Sequence, residues 1–202
     1  MKKEVLLFCI VASLVSCMRE EKESNEKQAI TQSELNLKVD MLVEIPAGTN
    51  NKFEYNKVNQ QIEQDSINGE ARIISYLSYP GNYGMIPNTL LSKSEGGDGD
   101  PLDIIAIGPA VPKGTLLNCR IVGVLKLLDD GEQDDKLIAI GENSSIYEIS
   151  SFMELNSSYP GISEIINIWF TNYKGNKKVE ALGFGDEIEA ANIYEKAKWN
   201  AN

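Results

Sequence analysis

The stretch Leu116 to Leu128 constrains the fold more than any other part of this chain. It is apolar along most of its length and is interrupted by Gly123. A glycine inside a strand marks a bulge or a bend, and a long strand bent in its middle is one way a sheet closes into a barrel. The other candidate strands are shorter and separated by turns: Val39 to Ile45, Lys52 to Asn56, Arg72 to Ser75, Asp103 to Ile107 and Lys136 to Ile140. Two helices follow. Ser163 to Lys174 carries Ile165, Ile166, Trp169 and Phe170 on one stripe, with Ser163 suited to an N-cap. Glu187 to Trp199 carries Ile188, Ala191, Ile193, Tyr194 and Ala197, with acids in its first turn and lysines late. The pattern predicts a mainly β fold with some α, a small closed β-barrel flanked by two helices near the C-terminus.

The N-terminal residues stand apart from this pattern. Lys2 and Lys3 precede an apolar run from Val5 to Val15 that is too short for a stable membrane span. It closes on Leu14-Val15-Ser16-Cys17, which resembles a bacterial lipoprotein signal whose cysteine becomes lipidated and begins the mature chain. An ordinary secretory signal with an incidental cysteine is the alternative. Residues 18 to 35 open with a run of charged side chains and read as a flexible tether. Residues 36 to 202 form a single domain. The expected location is extracytoplasmic, lipid-anchored to a bacterial membrane through Cys17, with the charge run behind the cysteine suggesting the outer membrane or cell surface.

Without residues 1–17 the chain keeps 17 basic and 29 acidic side chains, a formal charge of −12. That balance argues against nucleic acid as a partner, since phosphate neutralisation needs basic patches. An anionic substrate would need local cations or bound metal to invert the field. The chain has no histidine, which excludes Ser-His and Cys-His catalysis and histidine metal sites together. Cys119 lies in an apolar segment and reads as a packing residue.

Asp98-Gly99-Asp100-Pro101-Leu102-Asp103 sets three acids within six residues, where a Gly-rich loop enters the run Ile104 to Ile107. Pro101 suits the start of a strand, so Asp98 and Asp100 fall on the loop and Asp103 just inside the strand. Like charges about 5 Å apart repel by roughly 3 kcal/mol at an effective dielectric near 20. A cation is therefore expected among them, and hard divalent ions choose oxygen ligands. The same residues also serve as ordinary solvated turn chemistry. An EF-hand calcium loop fits poorly, because Leu102, Asp103 and Pro109 would fill its fifth, sixth and twelfth positions. A second acidic group, Asp129 to Asp135, follows the long strand and read alone is a hydrophilic hairpin loop.

In order along the chain, these segments resemble the family I soluble inorganic pyrophosphatases over almost all of residues 40 to 200. Asp98 to Asp103 matches the family's signature hexapeptide with all three acids in place. Val43-Glu44-Ile45-Pro46 matches the end of its first strand, Lys52-Phe53-Glu54 its Lys-x-Glu, and Tyr79-Pro80-Gly81-Asn82-Tyr83-Gly84 its Tyr-Pro-x-Asn-Tyr-Gly turn. Val122 to Lys126 continues through Asp129, Asp134 and Lys136 without a gap, and Tyr173-Lys174 completes the set.

The resemblance implies a closed five-stranded OB-like barrel and hydrolysis of pyrophosphate by a metal-activated water. It implies several Mg²⁺ ions per site, or Mn²⁺. Asp98, Asp103 and Asp134 would hold the metal pair that activates water, with Asp103 bridging, while Glu44, Asp129 and Asp134 would serve metals arriving with substrate. Asp100 would take the proton from the attacking water, and Tyr83 would place its hydroxyl nearby. Lys52, Arg72, Lys136, Tyr173 and Lys174 would grip phosphate oxygens, and Glu54 would orient the neighbouring lysines. Six residues lie between Arg72 and Tyr79, one fewer than in some relatives. Read without the resemblance, Tyr79 and Tyr83 are core aromatics and Lys52 and Lys174 are surface lysines. Relatives include dimers and hexamers, so a homo-oligomer is compatible. Two other functions stay open at this point: a non-catalytic binding relative, and a hydrolase of larger phosphoanhydrides.

Overall fold

Alternate residues of Lys38–Ile45 (β1) are buried, Val39, Met41, Val43 and Ile45 against exposed Lys38 and Asp40, as expected of a strand with one face on a core. The computed structural model describes residues 36–92, 99–175 and 179–198. The signal, the tether, Cys17, Asp98 and Trp199 lie outside them.

After β1 come Phe53–Asn56 (β2), Gln61–Gln64 (β3), Ser66–Ile67 (β4), Glu70–Ala71 (β5), Asn82–Met85 (β6) and Asp103–Ile107 (β7). Leu116–Asp129 (β8), Glu132–Gln133 (β9) and Lys136–Gly141 (β10) follow. The C-terminal part holds helices Phe152–Ser158 (α1) and Ile162–Asn172 (α2), strand Val179–Gly185 (β11) and helix Glu187–Ala197 (α3).

Strand β1 pairs antiparallel with both β6 and β8, β6 antiparallel with β7, β7 parallel with β10, and β10 antiparallel with β8. The pairings thus run round a circuit of five strands and return to β1, and β11 extends the sheet from β8. Strand β8 serves this circuit by its length: Leu116 to Arg120 face β1 while Val124 to Asp129 face β11. Its register against β10 passes from Gly123↔Ile138 to Ile121↔Ala139, so Val122 is the extra residue of a bulge next to the glycine. A Cβ on Gly123 would lie 2.8 Å from the Phe152 ring and 2.9 Å from the Gly185 carbonyl. The glycine both bends the strand and admits α1 and β11.

Two cores flank the sheet. One joins Ile105, Val122 and Ile138 to Ile166, Trp169 and Phe170 of α2, and the other joins Ile104, Ile121 and Leu137 to Ala190 and Ala197 of α3. The fold is mainly β with helices beside the sheet, and several details differ from the sequence reading. The circuit includes Asn82–Met85, which reads as a turn, whereas Lys52–Asn56 yields β2 in a separate hairpin with β3. Arg72–Ser75 carries one isolated bridge, Ile73 to Asn51. Helix α1 and strand β11 add to the two expected helices. Gly161 rather than Ser163 precedes α2, and the Ser163 hydroxyl is buried and donates to Asn156 Oδ1. Ile165, expected on the inward stripe of α2, is exposed.

Candidate active site

Parallel strands β7 and β10 begin side by side, so that Asp103 and Lys136 are register partners. The Lys136 ammonium donates to Asp103 Oδ2 at 2.5 Å and also to Asp134. Tyr83, reaching over from β6, donates its hydroxyl to the same Asp103 oxygen at 2.6 Å. Lys136 is only 2% exposed. Burial alone would lower its pKa, but Asp103 and Asp134 more than offset this and hold the ammonium charged. Burial raises the pKa of Asp134, helped by Asp103 and opposed by Lys136. The Tyr83 hydroxyl is held protonated, by burial first and then by Asp103.

Glu44 reaches this centre through a second bulge. The β1–β6 register steps from Val43↔Gly84 to Ile45↔Tyr83, leaving Glu44 as the extra residue, and bulges re-aim a side chain in this way. The strands approach so closely that a Cβ on Gly84 would sit 2.0 Å from the Leu42 carbonyl oxygen. Glu44 is buried and accepts from the Tyr55 N–H at 2.7 Å. Burial pushes its pKa up to about 7; the Tyr55 N–H works against that rise and Asp103 adds to it.

Asp129 ends β8 and pairs through Oδ2 with Lys174, just beyond α2, while its Oδ1 is buried without a partner. Asp134 precedes β10, its N–H bonded to the Leu127 carbonyl at 2.9 Å. Lys52 pairs with Glu54 at 3.0 Å and lies 5.5 Å from the centre of the Tyr83 ring. Arg72 pairs with Asp65 at 2.9 Å. Beneath them, α2 supplies an aromatic wall. Trp169 stacks on Tyr173 with centroids 4.7 Å apart and meets Tyr79 at 4.2 Å, and its indole N–H donates to the Leu77 carbonyl at 2.9 Å. This packing fixes the helix end that presents Tyr173 and Lys174. Burial also raises the pKa of the Tyr173 hydroxyl, keeping it a donor.

Glu44, Lys52, Arg72, Tyr83, Asp100, Asp103, Asp129, Asp134, Lys136, Tyr173 and Lys174 all line one open cavity of about 270 Å³. Asp98 lies outside the described residues. Tyr55, Lys57 and Met85 line the cleft too and escaped the sequence reading. Lys57 donates to the Gly99 carbonyl at 3.0 Å and pairs with Asp100. Its only sequence signal is a place five residues beyond Lys52 in a hydrophilic hairpin.

The residues present fit divalent cations. The acidic donors are all carboxylate oxygens, which suit Mg²⁺ or Mn²⁺. The unpartnered Asp129 oxygen and the raised Glu44 carboxyl are groups that a nearby cation would satisfy. Among the described residues, no three acidic side chains stand close enough as arranged to hold one ion, and the ammonium of Lys136 lies between Asp103 and Asp134.

A model of the inorganic pyrophosphatase family matches residues 41–202, and the chain belongs to that family. An inorganic pyrophosphatase of Campylobacter jejuni subsp. jejuni is 36% identical over 168 residues, covering 79% of this chain and 90% of the relative. The fold is similar to that of an N-terminally truncated Trypanosoma cruzi vacuolar soluble pyrophosphatase in complex with PPi. The TM-score is 0.76 at 29% identity, over 80% of this chain and 68% of that one. A recombinant inorganic pyrophosphatase from Trypanosoma brucei brucei superposes with a TM-score of 0.75 at 27% identity over 80% of this chain, which spans about half (52%) of that longer one.

Proposed function

We propose that the protein hydrolyses inorganic pyrophosphate to two orthophosphates and requires Mg²⁺ or Mn²⁺. The observation that carries this reading is the convergence, in one cleft, of carboxylates from β1, β7 and both sides of β9 with five cationic side chains. An acidic chain thereby gains a local surface able to grip a small polyanion once metal is bound.

Glu44, Asp98, Asp103, Asp129 and Asp134 would hold the divalent ions, which when bound neutralise phosphate charge and acidify a water. Lys52, Arg72, Lys136, Tyr173 and Lys174 bind and orient the phosphate oxygens, so that the bridging P–O bond lines up with the attacking water. Asp100 accepts the proton as the water oxygen bonds to phosphorus and the bridging P–O bond breaks. Tyr83 and Lys136 fix Asp103, and protonated Tyr83 keeps a donor at the centre of the site.

Two orthophosphates released per pyrophosphate in Mg²⁺, with release abolished by EDTA, are the expected result for protein lacking residues 1–17. Metal-dependent pyrophosphate binding without turnover would support the non-catalytic reading instead. Faster turnover of tripolyphosphate or nucleoside triphosphates would move the substrate to larger phosphoanhydrides.

The sequence motif at Leu14 to Cys17 also supports lipid anchoring outside the cytoplasm, at the outer membrane or cell surface. More than one acyl chain is needed for durable attachment. Changing Cys17 to Ser is expected to release the protein into the soluble fraction or leave its signal uncleaved. A mutant that is processed and fractionates with membrane like its parent contradicts lipidation.

A further inference from the structure

Asp65 is not among the residues lining the cleft, yet a ring of three backbone hydrogen bonds joins it to two of the phosphate-gripping residues. The Asp65 N–H donates to the Lys52 carbonyl at 2.9 Å, the Lys52 N–H donates to the Arg72 carbonyl at 3.0 Å, and the Arg72 N–H donates to the Asp65 carbonyl at 2.7 Å. The link between Asp65 and Arg72 is a tight hairpin in which Ser66 faces Ala71 and Ile67 faces Glu70. Its two turn residues, Asn68 and Gly69, take φ of 56° and 82°, the left-handed pair that two-residue hairpins favour. That register leaves Asp65 and Arg72 opposite each other at the open end. The carboxylate then reaches Arg72 Nη1 at 2.9 Å, with both side chains about three-quarters buried.

We infer that Asp65 is a positioning residue, which holds the Arg72 guanidinium in the cleft and so sets its reach toward a phosphate oxygen. The reading rests on the proposed function. An arginine free to rotate would lose ordering on binding, whereas one already bonded at Nη1 offers its remaining N–H groups in a fixed plane. The short link, with its backbone bonds to Lys52, brings Arg72 to the cleft beside that lysine.

A double-mutant cycle tests this with two readouts, kcat/KM for pyrophosphate and the calorimetric Kd of methylenediphosphonate in Mg²⁺. Asp65→Ala is expected to lower kcat/KM and weaken analogue binding by about tenfold, the scale of one hydrogen bond to a charged group. In an Arg72→Ala background the same substitution should change either quantity by less than about twofold, because the residue acts through the arginine. Equal losses in both backgrounds, or no loss in the first, overturn the inference. If Asp65→Ala does not fold, Asp65→Asn carries the same cycle, since it removes the charge and keeps the shape. Analogue binding that follows the cycle without any turnover would sink hydrolysis and leave the positioning role standing.

Discussion

Replacing Asp100 with Asn is expected to lower phosphate release by about 10²–10⁴-fold, the range spanned by loss of a general base. Asparagine keeps the shape and a hydrogen-bonding oxygen but cannot take a proton at neutral pH. The Asp100 carboxylate is 61% exposed and stands at the cleft rim, where water and substrate reach it, and the Lys57 ammonium pairs with it from the facing hairpin. Its placement differs from that of Asp103, which is locked by Tyr83 and Lys136. Metal affinity by calorimetry should therefore be nearly unchanged while the rate falls. An Asp100→Asn enzyme that turns over at the parental rate removes the residue from proton transfer.

The second large effect concerns stability. Lys136→Met, measured by urea unfolding in EDTA, should cost about 3–5 kcal/mol, because it leaves two partly buried carboxylates without their shared cation. Burial already disfavours ionised Asp134, and Asp103 adds to that. The methionine fills the space of the lysine stem, so lost packing contributes little. Added Mg²⁺ should recover part of the loss, since an ion bound only to the folded state stabilises it by mass action. Unchanged stability in EDTA would mean that the Lys136 bridge to Asp103 and Asp134 contributes nothing to the fold.

Much of this architecture is legible from residue patterns. The bend at Gly123 is a property of the letters themselves, since a glycine inside an apolar run has few other readings. Strand β6 is hidden because Asn82 and Gly84 carry poor strand propensity. They are there for contacts: Gly84 admits the Leu42 carbonyl, and buried Asn82 accepts from the Ala47 and Val111 N–H groups and donates to the Pro109 carbonyl. No local pattern reveals such long-range demands. Helix α1 escapes for a related reason, as seven residues rich in Ser and Asn make a short and weakly patterned helix.

The site was readable by resemblance more than by chemistry. Lys52, Lys174 and Arg72 look like surface residues until the fold gathers them, and what gathers Arg72 is the Asn68-Gly69 turn, a hairpin signal with only two residues of strand on each side. Glu44 can be picked out as an acid at a strand end, but the bulge that turns it inward depends on its pairing with β6. Lys57 has only its place in a hydrophilic hairpin to mark it, because its partner Asp100 is remote in sequence.

Anomalous diffraction from crystals grown with Mn²⁺ and methylenediphosphonate tests the central claim most directly. The expected map places Mn²⁺ peaks among Asp98, Asp103 and Asp134 and beside Glu44 and Asp129, with the Lys136 and Lys174 ammonium groups turned to phosphonate oxygens. A map with no peak in the cleft, and those lysines still bonded to Asp134 and Asp129, contradicts a metal-dependent pyrophosphatase centre in this protein.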